Sequence, residues 1–309
     1  MQFTDLGLIE PLLKAIREEG YCEPTEIQAK GVPLALEGRD VLGCAQTGTG
    51  KTAAFALPIL QRLHDSPSET TGEDRPIRSL ILSPTRELAR QIAESFDAYG
   101  RHLPIRSTVV YGGVKKGPQI NQVKKGVDVL VATPGRLLDL MGMKVVRIGH
   151  VETFVLDEAD RMLDMGFIPD VRRIVQRLPR KRQTMFFSAT LDANVMRLAE
   201  SLTHRAAEVR VSPEEPAAEN VDHEVYLIPK RYKQDLLEHI LGKDASITRA
   251  LVFTRTKMGA DRLTHGLARR DVNAQAIHAD KSQQEREQAL KDFRSGKTRV
   301  LVASDIASR

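Results

Sequence analysis

A glycine-rich segment that ends in lysine and threonine is the first feature of the chain with a recognisable chemistry. It lies between the apolar run 41–44 and a segment with helical apolar period, and it reads Ala45-Gln46-Thr47-Gly48-Thr49-Gly50-Lys51-Thr52. Glycines let backbone N–H groups curl around phosphate oxygens, Lys51 can reach the β- and γ-phosphates of a nucleoside triphosphate, and the Thr52 hydroxyl is placed for Mg²⁺. A glycine-rich turn without a ligand is the alternative interpretation.

A second chemical feature is an acidic tetrapeptide, Asp157-Glu158-Ala159-Asp160, which follows the apolar run 154–156. A central strand that ends here places both leading carboxylates at the sheet edge where ligands bind. One of these carboxylates, Asp157 or Glu158, can hold Mg²⁺ while its neighbour orients and deprotonates a water that attacks the γ-phosphate. A charge cluster at a helix N-terminus is the alternative. Combined with the phosphate loop, the pair predicts triphosphate hydrolysis, with Thr52 and one of the two carboxylates as metal ligands.

These loops need a parallel sheet to position them. Short β-branched runs alternate with amphipathic segments, a pattern typical of βαβ units. The predicted strands are 41–44, 80–83, 108–111, 127–132, 153–156 and 185–187, and the predicted helices include 52–63, 87–99 and 192–202. We therefore expect one doubly wound α/β domain over residues 1–208.

A second α/β domain follows an acidic, proline-containing linker. The linker is assigned to residues 209–222 and the second domain to residues 223–309. Its predicted strands are 225–228, 250–254, 274–278 and 300–303, and its predicted helices are 233–241, 259–269 and 283–293. About four strands are fewer than such a domain usually has, so we expect an incomplete second domain in a chain cut short at Arg309.

Composition narrows the possible classes of protein. The 309 residues are 41% apolar and 28% charged, as in soluble globular proteins, and the absence of Trp argues against carbohydrate stacking. Cys22 and Cys44 form neither a disulfide framework nor a zinc motif, which favours a reducing cytoplasm. Apolar stretches are too short to span a bilayer, and the N-terminus lacks a secretory pattern, so we expect no membrane association.

The charge distribution favours a polyanionic partner. The net charge is +5, and two basic clusters are conspicuous: Lys115, Lys116, Lys124 and Lys125, then Arg172, Arg173, Arg177, Arg180, Lys181 and Arg182. For either cluster alone, a solvated helix face is the alternative.

With these motifs, the whole chain resembles the DEAD-box ATP-dependent RNA helicases, superfamily 2 proteins with two RecA-like domains. Segments 45–59 and 155–168 resemble the bacterial RhlE-like subgroup most closely. The resemblance implies ATP and Mg²⁺ as cofactors, with Thr52 and Asp157 as the metal ligands. It implies RNA as partner, as single strand and short duplex with little sequence specificity, and local duplex unwinding driven by ATP hydrolysis. Protein partners stay unknown.

The resemblance also implies nucleotide contacts. Phe3, Gly20, Tyr21, Pro24, Thr25 and Gln28 match an adenine-recognition motif. The Gln28 amide can read the adenine edge and Phe3 can stack on the base, although Gln28 alone would be taken as a surface helix residue. The implied nucleotide-binding residues are Phe3, Tyr21, Thr25, Gln28, Gln46, Thr47, Gly48, Thr49, Gly50, Lys51, Thr52 and Asp305, the last facing the ribose.

The implied RNA contacts lie at strand-to-helix junctions. In the first domain they are Pro84, Thr85, Arg86, Gly112, Gly113, Thr133, Pro134, Gly135 and Arg136; in the second they are Arg255, Gln283, Arg286 and Ser304. Such groups bind phosphates without reading bases, and each alone is equally typical of a cap or turn. Ser188 and Thr190 belong to a Ser-Ala-Thr motif that couples hydrolysis to strand separation in the family and counts as catalytic here. Thr190 is also a candidate N-cap for the next helix.

Some positions depart from the family pattern. Ala279, Ser304 and Ser308 replace the usual Gly, Thr and Ala, and His278 is expected to be structural. No arginine-rich motif that completes the ATP site follows Arg309. An ATP-regulated RNA clamp or a fragment deficient in hydrolysis is therefore the alternative function, and a motor acting on DNA is a third.

Overall fold

The computed structural model describes residues 1–46, 48–68, 70, 72, 75–211, 222, 224–243 and 246–304. Contacts divide the chain into two compact units, Met1–Asn220 and Val221–Arg309. Residues 212–221 of the predicted linker 209–222, together with Thr47 and Asp305, lie outside the described residues.

The N-terminal unit is built on a seven-stranded sheet. All pairs are parallel, and the strand order is β3-β4-β2-β5-β6-β1-β7. The strands are β1 Val41–Cys44, β2 Ser79–Leu82, β3 Ser107–Val110, β4 Val129–Ala132, β5 Thr153–Leu156, β6 Gln183–Ser188 and β7 Ala207–Arg210. Because all strands run the same way, every loop that follows a strand lies at one edge of the sheet. We call it the strand-end edge, and we call the opposite one the strand-start edge.

Nine helices of the described residues connect and cover these strands. They are α1 Glu10–Glu18, α2 Glu26–Leu36, α3 Lys51–Asp65, α4 Arg86–Tyr99, α5 Lys116–Lys124, α6 Pro134–Gly142, α7 Ala159–Asp164, α8 Ile168–Val175 and α9 Ala193–Leu202. Helix α4 shows why these segments are helical: its apolar positions recur at three- and four-residue spacing, and Thr85 caps it by accepting a hydrogen bond from Leu88 N.

The core lies on both faces of the sheet. Strand β5 is buried throughout, and its side chains alternate between faces: Val155 packs with α1 to α4, whereas Phe154 and Leu156 pack with α5 to α9. Phe55 of α3 is fully buried and its ring centroid lies 5.4 Å from that of Phe187. Truncation of such a phenylalanine typically costs about 3–5 kcal/mol. The core therefore holds β1, β5 and β6, which position the candidate site.

The C-terminal unit has a three-stranded parallel sheet in its described residues, in the order β8-β10-β9. The strands are β8 Ala250–Thr254, β9 Ala274–Ile277 and β10 Val300–Ser304, and the helices are α10 Lys233–Lys243, α11 Lys257–Ala268 and α12 Gln283–Arg294. Strand β10 is fully buried: Val300 and Val302 pack with α10 and α11, and Leu301 and Ala303 pack with α12.

The structure confirms the α/β class with two parallel sheets and corrects two local predictions. The predicted strand 225–228 is wrong: these residues pair with no strand in the described chain, and Val225 and Leu227 are 86% and 94% exposed. Sequence also missed β7, which pairs with β1 and continues to Arg210, two residues beyond the predicted domain end at 208. Among the described residues, no helix combines the length and apolar character needed to cross a membrane.

Candidate functional site

The phosphate loop follows β1 at the strand-end edge, as predicted. Gly48 and Gly50 both have φ of 90°, a left-handed conformation that glycine adopts without a Cβ penalty. Gly50 is the N-cap residue of α3, so the free N–H groups of that helix point into the loop. Lys51 is 6% exposed, and among the described atoms its Nζ has no hydrogen-bond partner. A buried, unpartnered ammonium beside free helix amides is a cradle suited to phosphates.

The acidic pair lies beside this loop. Asp157 and Glu158 directly follow β5 and are 2% and 8% exposed. Burial raises the pKa of Asp157 to about 6; Lys51 opposes the rise and Glu158 adds to it. Glu158 has φ of 51° and accepts a hydrogen bond from Arg161 at 3.2 Å. Two buried carboxylates close to a lysine are the arrangement expected where a cation and a phosphate meet.

Asp160 serves a different purpose. Its Oδ2 accepts hydrogen bonds from Ala189 N at 3.2 Å, Thr190 N at 3.1 Å and Thr190 Oγ1 at 3.3 Å. The Ser-Ala-Thr motif is therefore bonded directly to the acidic motif. The N-cap prediction for Thr190 is wrong, because Asp192 caps α9 by accepting from Asn194 N and Val195 N. Ser188 ends β6, is fully buried, and accepts a bond from Thr190 N at 3.4 Å.

A second group of predicted ligands closes the other side of the loop. Gln28 is 4% exposed, so its interpretation as a surface residue is wrong. Its Nε2 donates to Gly50 O at 3.1 Å and its Oε1 accepts from Thr25 N at 3.0 Å. A Cβ at Gly50 would lie 2.3 Å from Gln28 Nε2, so only glycine permits this approach. Gln28 thus fixes the phosphate loop while one amide hydrogen and further acceptor capacity remain.

These groups surround one cavity of about 580 Å³. Its lining includes the predicted residues Tyr21, Thr25, Gln28, Gly48, Gly50, Lys51, Thr52, Asp157 and Glu158. The volume lies in the range of cofactor pockets. Phe3 is 5% exposed within the core and does not line the cavity, so its stacking on a base stays a prediction. Gln46 and Thr49 form a turn through Thr49 Oγ1 and Gln46 O at 2.7 Å.

Sequence reasoning missed one wall of the cavity. Leu88, Ser95 and Tyr99 line it from α4. The Tyr99 hydroxyl lies 3.3 Å from that of Tyr21, and burial raises the pKa of Tyr99. The helical spacing of these three residues was visible in the sequence, but nothing there showed which face of α4 turns toward the loop.

The donor set fits Mg²⁺. A hydroxyl from Thr52 and a carboxylate from Asp157 share the cavity, and both are hard oxygen ligands. The described residues contain no cluster of three or more His, Cys, Asp or Glu side chains suited to a metal. Magnesium typically takes one or two protein ligands together with phosphate oxygens and waters, so the sparse set suits a phosphate-bound cation.

The predicted RNA contacts of the N-terminal unit lie at the same strand-end edge. They follow β2, β3 and β4, which are neighbours in the sheet. Arg86 lies against Gly113, where a Cβ would meet Arg86 Nη1 at 1.8 Å. Pro84 and Thr133 are buried, Pro134 begins α6, and Thr85, Gly112 and Gly135 remain partly or fully exposed.

Arg136 differs from the other predicted contacts. It is 8% exposed, and its guanidinium donates to Gln119 Oε1 at 2.8 Å and to Val114 O at 2.9 Å. The side chain thus ties α6 to α5 and to the loop after β3. A phosphate contact from Arg136 stays a prediction.

The second unit groups its predicted residues at the strand ends of its own sheet. Ser304 ends the central β10 and is 1% exposed, Arg255 follows β8 and is exposed, and Gln283 and Arg286 lie in the first turn of α12. Among the described atoms, Ser304 Oγ is buried without a hydrogen-bond partner. His278 directly follows β9 and is 2% exposed. Its Nε2 lies 3.0 Å from Asp261 Oδ1, in keeping with a structural role.

Comparison with family models gives two matches. The DEAD/DEAH box helicase model matches residues 25–198, and the helicase conserved C-terminal domain model matches residues 232–309. The first match contains the phosphate loop, the acidic motif and the Ser-Ala-Thr motif. The second contains β8 to β10.

Curated relatives are similar along the whole chain. DEAD-box ATP-dependent RNA helicase 20 of Oryza sativa subsp. japonica is 41% identical over 309 residues, covering 100% of this chain and 62% of the relative. The CshA helicase of Streptococcus pneumoniae is 41% identical over 309 residues and is covered to 57%. The chain thus spans about three fifths of the length of these relatives.

Solved structures share the fold. A structure of S. cerevisiae Dbp5 bound to RNA and ADP BeF3 is 32% identical, with a TM-score of 0.83 and coverage of 100% of this chain and 77% of that one. A DEAD box protein from Methanococcus jannaschii is 33% identical, with a TM-score of 0.63 and coverage of 100% and 81%. Both units are therefore RecA-like. Since the first family model spans more than half of the chain and contains the motifs around the cavity, the chain belongs to the DEAD/DEAH box helicase family.

Proposed function

We propose that the chain is an ATP-dependent RNA helicase that binds the RNA backbone and separates short duplexes locally, coupled to ATP hydrolysis. The observation that carries the proposal is the cavity in which Lys51, Thr52, Asp157 and Glu158 meet. Relatives and a structural neighbour support it, since they are named as ATP-dependent RNA helicases or are bound to RNA and ADP BeF3.

The residues of the cavity have different roles in hydrolysis. Lys51 and the N–H groups at the start of α3 bind the phosphates, Gln28 and Tyr21 lie at the base end, and Thr52 and Asp157 hold Mg²⁺. When bound there, Mg²⁺ would neutralise negative charge on the phosphates. Glu158 orients the attacking water and accepts its proton.

Coupling to RNA runs through bonded neighbours of the acidic motif. Asp160 bonds the segment after β5 to the Ser-Ala-Thr segment after β6. A displacement of one segment should therefore displace the other. The RNA contacts we propose come from residues 84–86, 112–113 and 133–136, with Arg255, Gln283, Arg286 and Ser304 in the second unit. They meet phosphates and sugars, so sequence specificity is low and binding weakens with salt.

Two finer assignments belong to the same proposal. Similarity in segments 45–59 and 155–168 supports the RhlE-like subgroup. The cysteines Cys22 and Cys44 are free thiols, which suits a reducing compartment such as the cytoplasm.

The test is steady-state ATP hydrolysis with and without single-stranded RNA, together with unwinding of a short RNA duplex. The blank is Glu158→Gln, which keeps side-chain size and removes the base. We expect RNA to stimulate turnover, DNA of the same sequence to stimulate it less, and the variant to bind ATP with turnover reduced by roughly 10²–10⁴-fold.

Wild-type turnover at the level of the blank would contradict the assignment of hydrolysis. If RNA still binds more tightly with ATP in that case, the chain is an ATP-regulated RNA clamp. Equal stimulation by DNA and RNA would contradict the assignment of RNA as substrate.

A further inference from the structure

Exposed cations line the strand-start edge of the N-terminal unit, opposite the candidate site. Residues in the loops that lead into four neighbouring strands carry them, in the sheet order β5, β6, β1 and β7. They are Arg147 before β5, Arg180 and Lys181 before β6, Arg39 before β1 and Arg205 before β7. We call these five residues the basic edge. Neighbouring strands lie about 4.8 Å apart, so four strand starts span roughly 15 Å.

The cations of the basic edge are available to a ligand. All five side chains are exposed, and none forms an ion pair among the residues that the structure describes. Only part of the basic sequence cluster 172–182 belongs here. Arg182 is a structural residue: it donates to Pro179 O at 2.9 Å and to Leu202 O at 3.4 Å and lies over the Phe154 ring.

At the same edge, the carboxylates of Asp40 and Glu152 accept hydrogen bonds from groups within the protein. Asp40 accepts from Thr184 N at 2.7 Å and His204 N at 2.6 Å. Glu152 accepts from Arg78 at 2.7 and 3.0 Å. Exposed Glu37 is the acidic neighbour of Arg39 in sequence. Asp40 and Glu152 are therefore engaged by internal donors, which makes them less able to offset the exposed cations.

The surface between two of these strand starts is concave. A hollow of about 450 Å³ is lined by His150, Pro179 and Lys181 with Arg78 and Ser66. Its lining joins the loop before β5 to the loop before β6. The bonds of Arg182 then fix the second loop to the end of α9, which leads to Arg205. The cations are thus held by a connected framework rather than spread on separate loops.

The side chains at this edge indicate which class of ligand it binds. The hollow beside the cations is lined by three prolines and Val151 but by no Phe, Tyr or Trp, whereas protein-binding surfaces are enriched in these aromatic side chains. A nucleic-acid backbone needs only cations. At a rise of roughly 3.4 Å per phosphate, 15 Å corresponds to about four phosphates.

We propose that the basic edge is a second RNA-binding surface, which holds the sugar-phosphate backbone of RNA that extends beyond the strand-end site. The inference rests on the proposed function, because it takes RNA as the polyanion. It adds affinity for long RNA without sequence preference and without a part in hydrolysis.

The two surfaces differ in the RNA length that they require. A unit of 220 residues has a radius of gyration of roughly 17 Å. A path over its surface from one edge to the other is then on the order of 60 Å. A six-nucleotide strand is too short for that path, and a 30-nucleotide strand is long enough.

The test compares wild type with a variant that has Arg39→Gln, Arg147→Gln, Arg180→Gln, Lys181→Gln and Arg205→Gln. The matched control removes five charges from other exposed helix positions: Lys14→Gln, Arg17→Gln, Lys30→Gln, Lys124→Gln and Arg197→Gln. Binding of 6- and 30-nucleotide polyuridylate is measured over a salt series, with thermal unfolding and ATP affinity as checks of folding.

For the 30-nucleotide strand we expect the basic-edge variant to lose about tenfold in affinity. The slope of log affinity against log salt concentration should become smaller in magnitude by about 3, because each of about four lost phosphate contacts contributes roughly 0.7. Binding of the six-nucleotide strand, ATP affinity and turnover without RNA should stay within twofold, and the control should stay near wild type for both strands.

Equal losses in the variant and the control would overturn the proposal, since net charge would then explain the effect. Unchanged binding of the long strand would overturn it too. Loss of binding to polyglutamate without loss of RNA binding would assign the surface to an acidic protein instead. If wild type binds neither strand, the proposed function itself fails, an outcome distinct from the others.

Discussion

Buried polar side chains at the two edges of the seven-stranded sheet differ in whether they have hydrogen-bond partners within the protein. At the strand-end edge, Lys51 is buried without a hydrogen-bond partner among described atoms, and burial raises the pKa of Asp157 to about 6. At the strand-start edge, buried Asp128 accepts from Arg75 at 2.6 Å and from Arg106 N at 2.8 Å, and Asp40 accepts two backbone N–H groups.

This difference separates function from stability within one sheet. Polar groups left unsatisfied cost folding free energy and are ready for a ligand, whereas satisfied ones stabilise the fold. Substitutions at the strand-end edge should therefore reduce binding, and substitutions of the internal carboxylates at the strand-start edge should reduce stability.

The largest effect is expected for Lys51→Met. Loss of the ammonium removes charge-assisted bonds to the phosphates, so ATP affinity should fall at least about 100-fold. The free energy of unfolding should not fall by more than about 1 kcal/mol, because the lysine has no hydrogen bond to lose. ATP titration and urea unfolding measure the two quantities.

Lys14→Met is the matched control for that experiment, since Lys14 is an exposed helix residue. It should leave both quantities unchanged. A loss of more than about 2 kcal/mol in Lys51→Met would break the comparison, because Lys51 would then be a residue that stabilises the fold.

The next effect is at the opposite edge, in Asp40→Ala. The change leaves the N–H groups of Thr184 and His204 without their acceptor, and Thr184 is 1% exposed. We expect about 2 kcal/mol of destabilisation in urea unfolding, with ATP affinity within twofold of wild type. Asp65→Ala, an exposed acid at the end of α3, should cost less than about 0.5 kcal/mol. A large loss of ATP affinity in Asp40→Ala would argue that the edges are not separable.

Sequence reasoning was strongest where one residue pattern fixed both local structure and chemistry. The bounds of β1 and β5 were predicted to the residue, because apolar runs end abruptly at the glycine-rich loop and at Asp157. The predicted strand ends then placed Lys51, Thr52, Asp157 and Glu158 at one edge, and the cavity confirms that they meet.

The failures share a different cause, which is dependence on tertiary partners. Segment 225–228 has strand composition but no strand to pair with in the described chain, whereas β7 has only two buried positions and forms by pairing with β1. Tyr99 entered the cavity wall through the packing of α4, which residue spacing cannot orient. Asp192 caps α9, and the Thr190 hydroxyl is instead bonded to Asp160.

The smallest effect sharpens the comparison within the strand-end edge, at Gly113. Gly113 has φ of 77°, and a Cβ there would lie 1.8 Å from Arg86 Nη1. In Gly113→Ala the backbone strain costs about 1 kcal/mol. Because the guanidinium ends a flexible side chain, it moves aside instead of disrupting the core, and RNA affinity should fall about tenfold. ATP affinity without RNA should not change.

Gly112→Ala is the control that isolates the cause. Its φ is not positive, and its Cβ would lie 3.8 Å from Arg86 Nη2, an ordinary contact. RNA affinity within twofold of wild type in Gly112→Ala, beside the tenfold loss in Gly113→Ala, would assign the effect to the position of Arg86. Equal losses in both variants would instead show that the loop backbone binds RNA and that Arg86 only packs against it, since both changes would then disturb the same N–H groups.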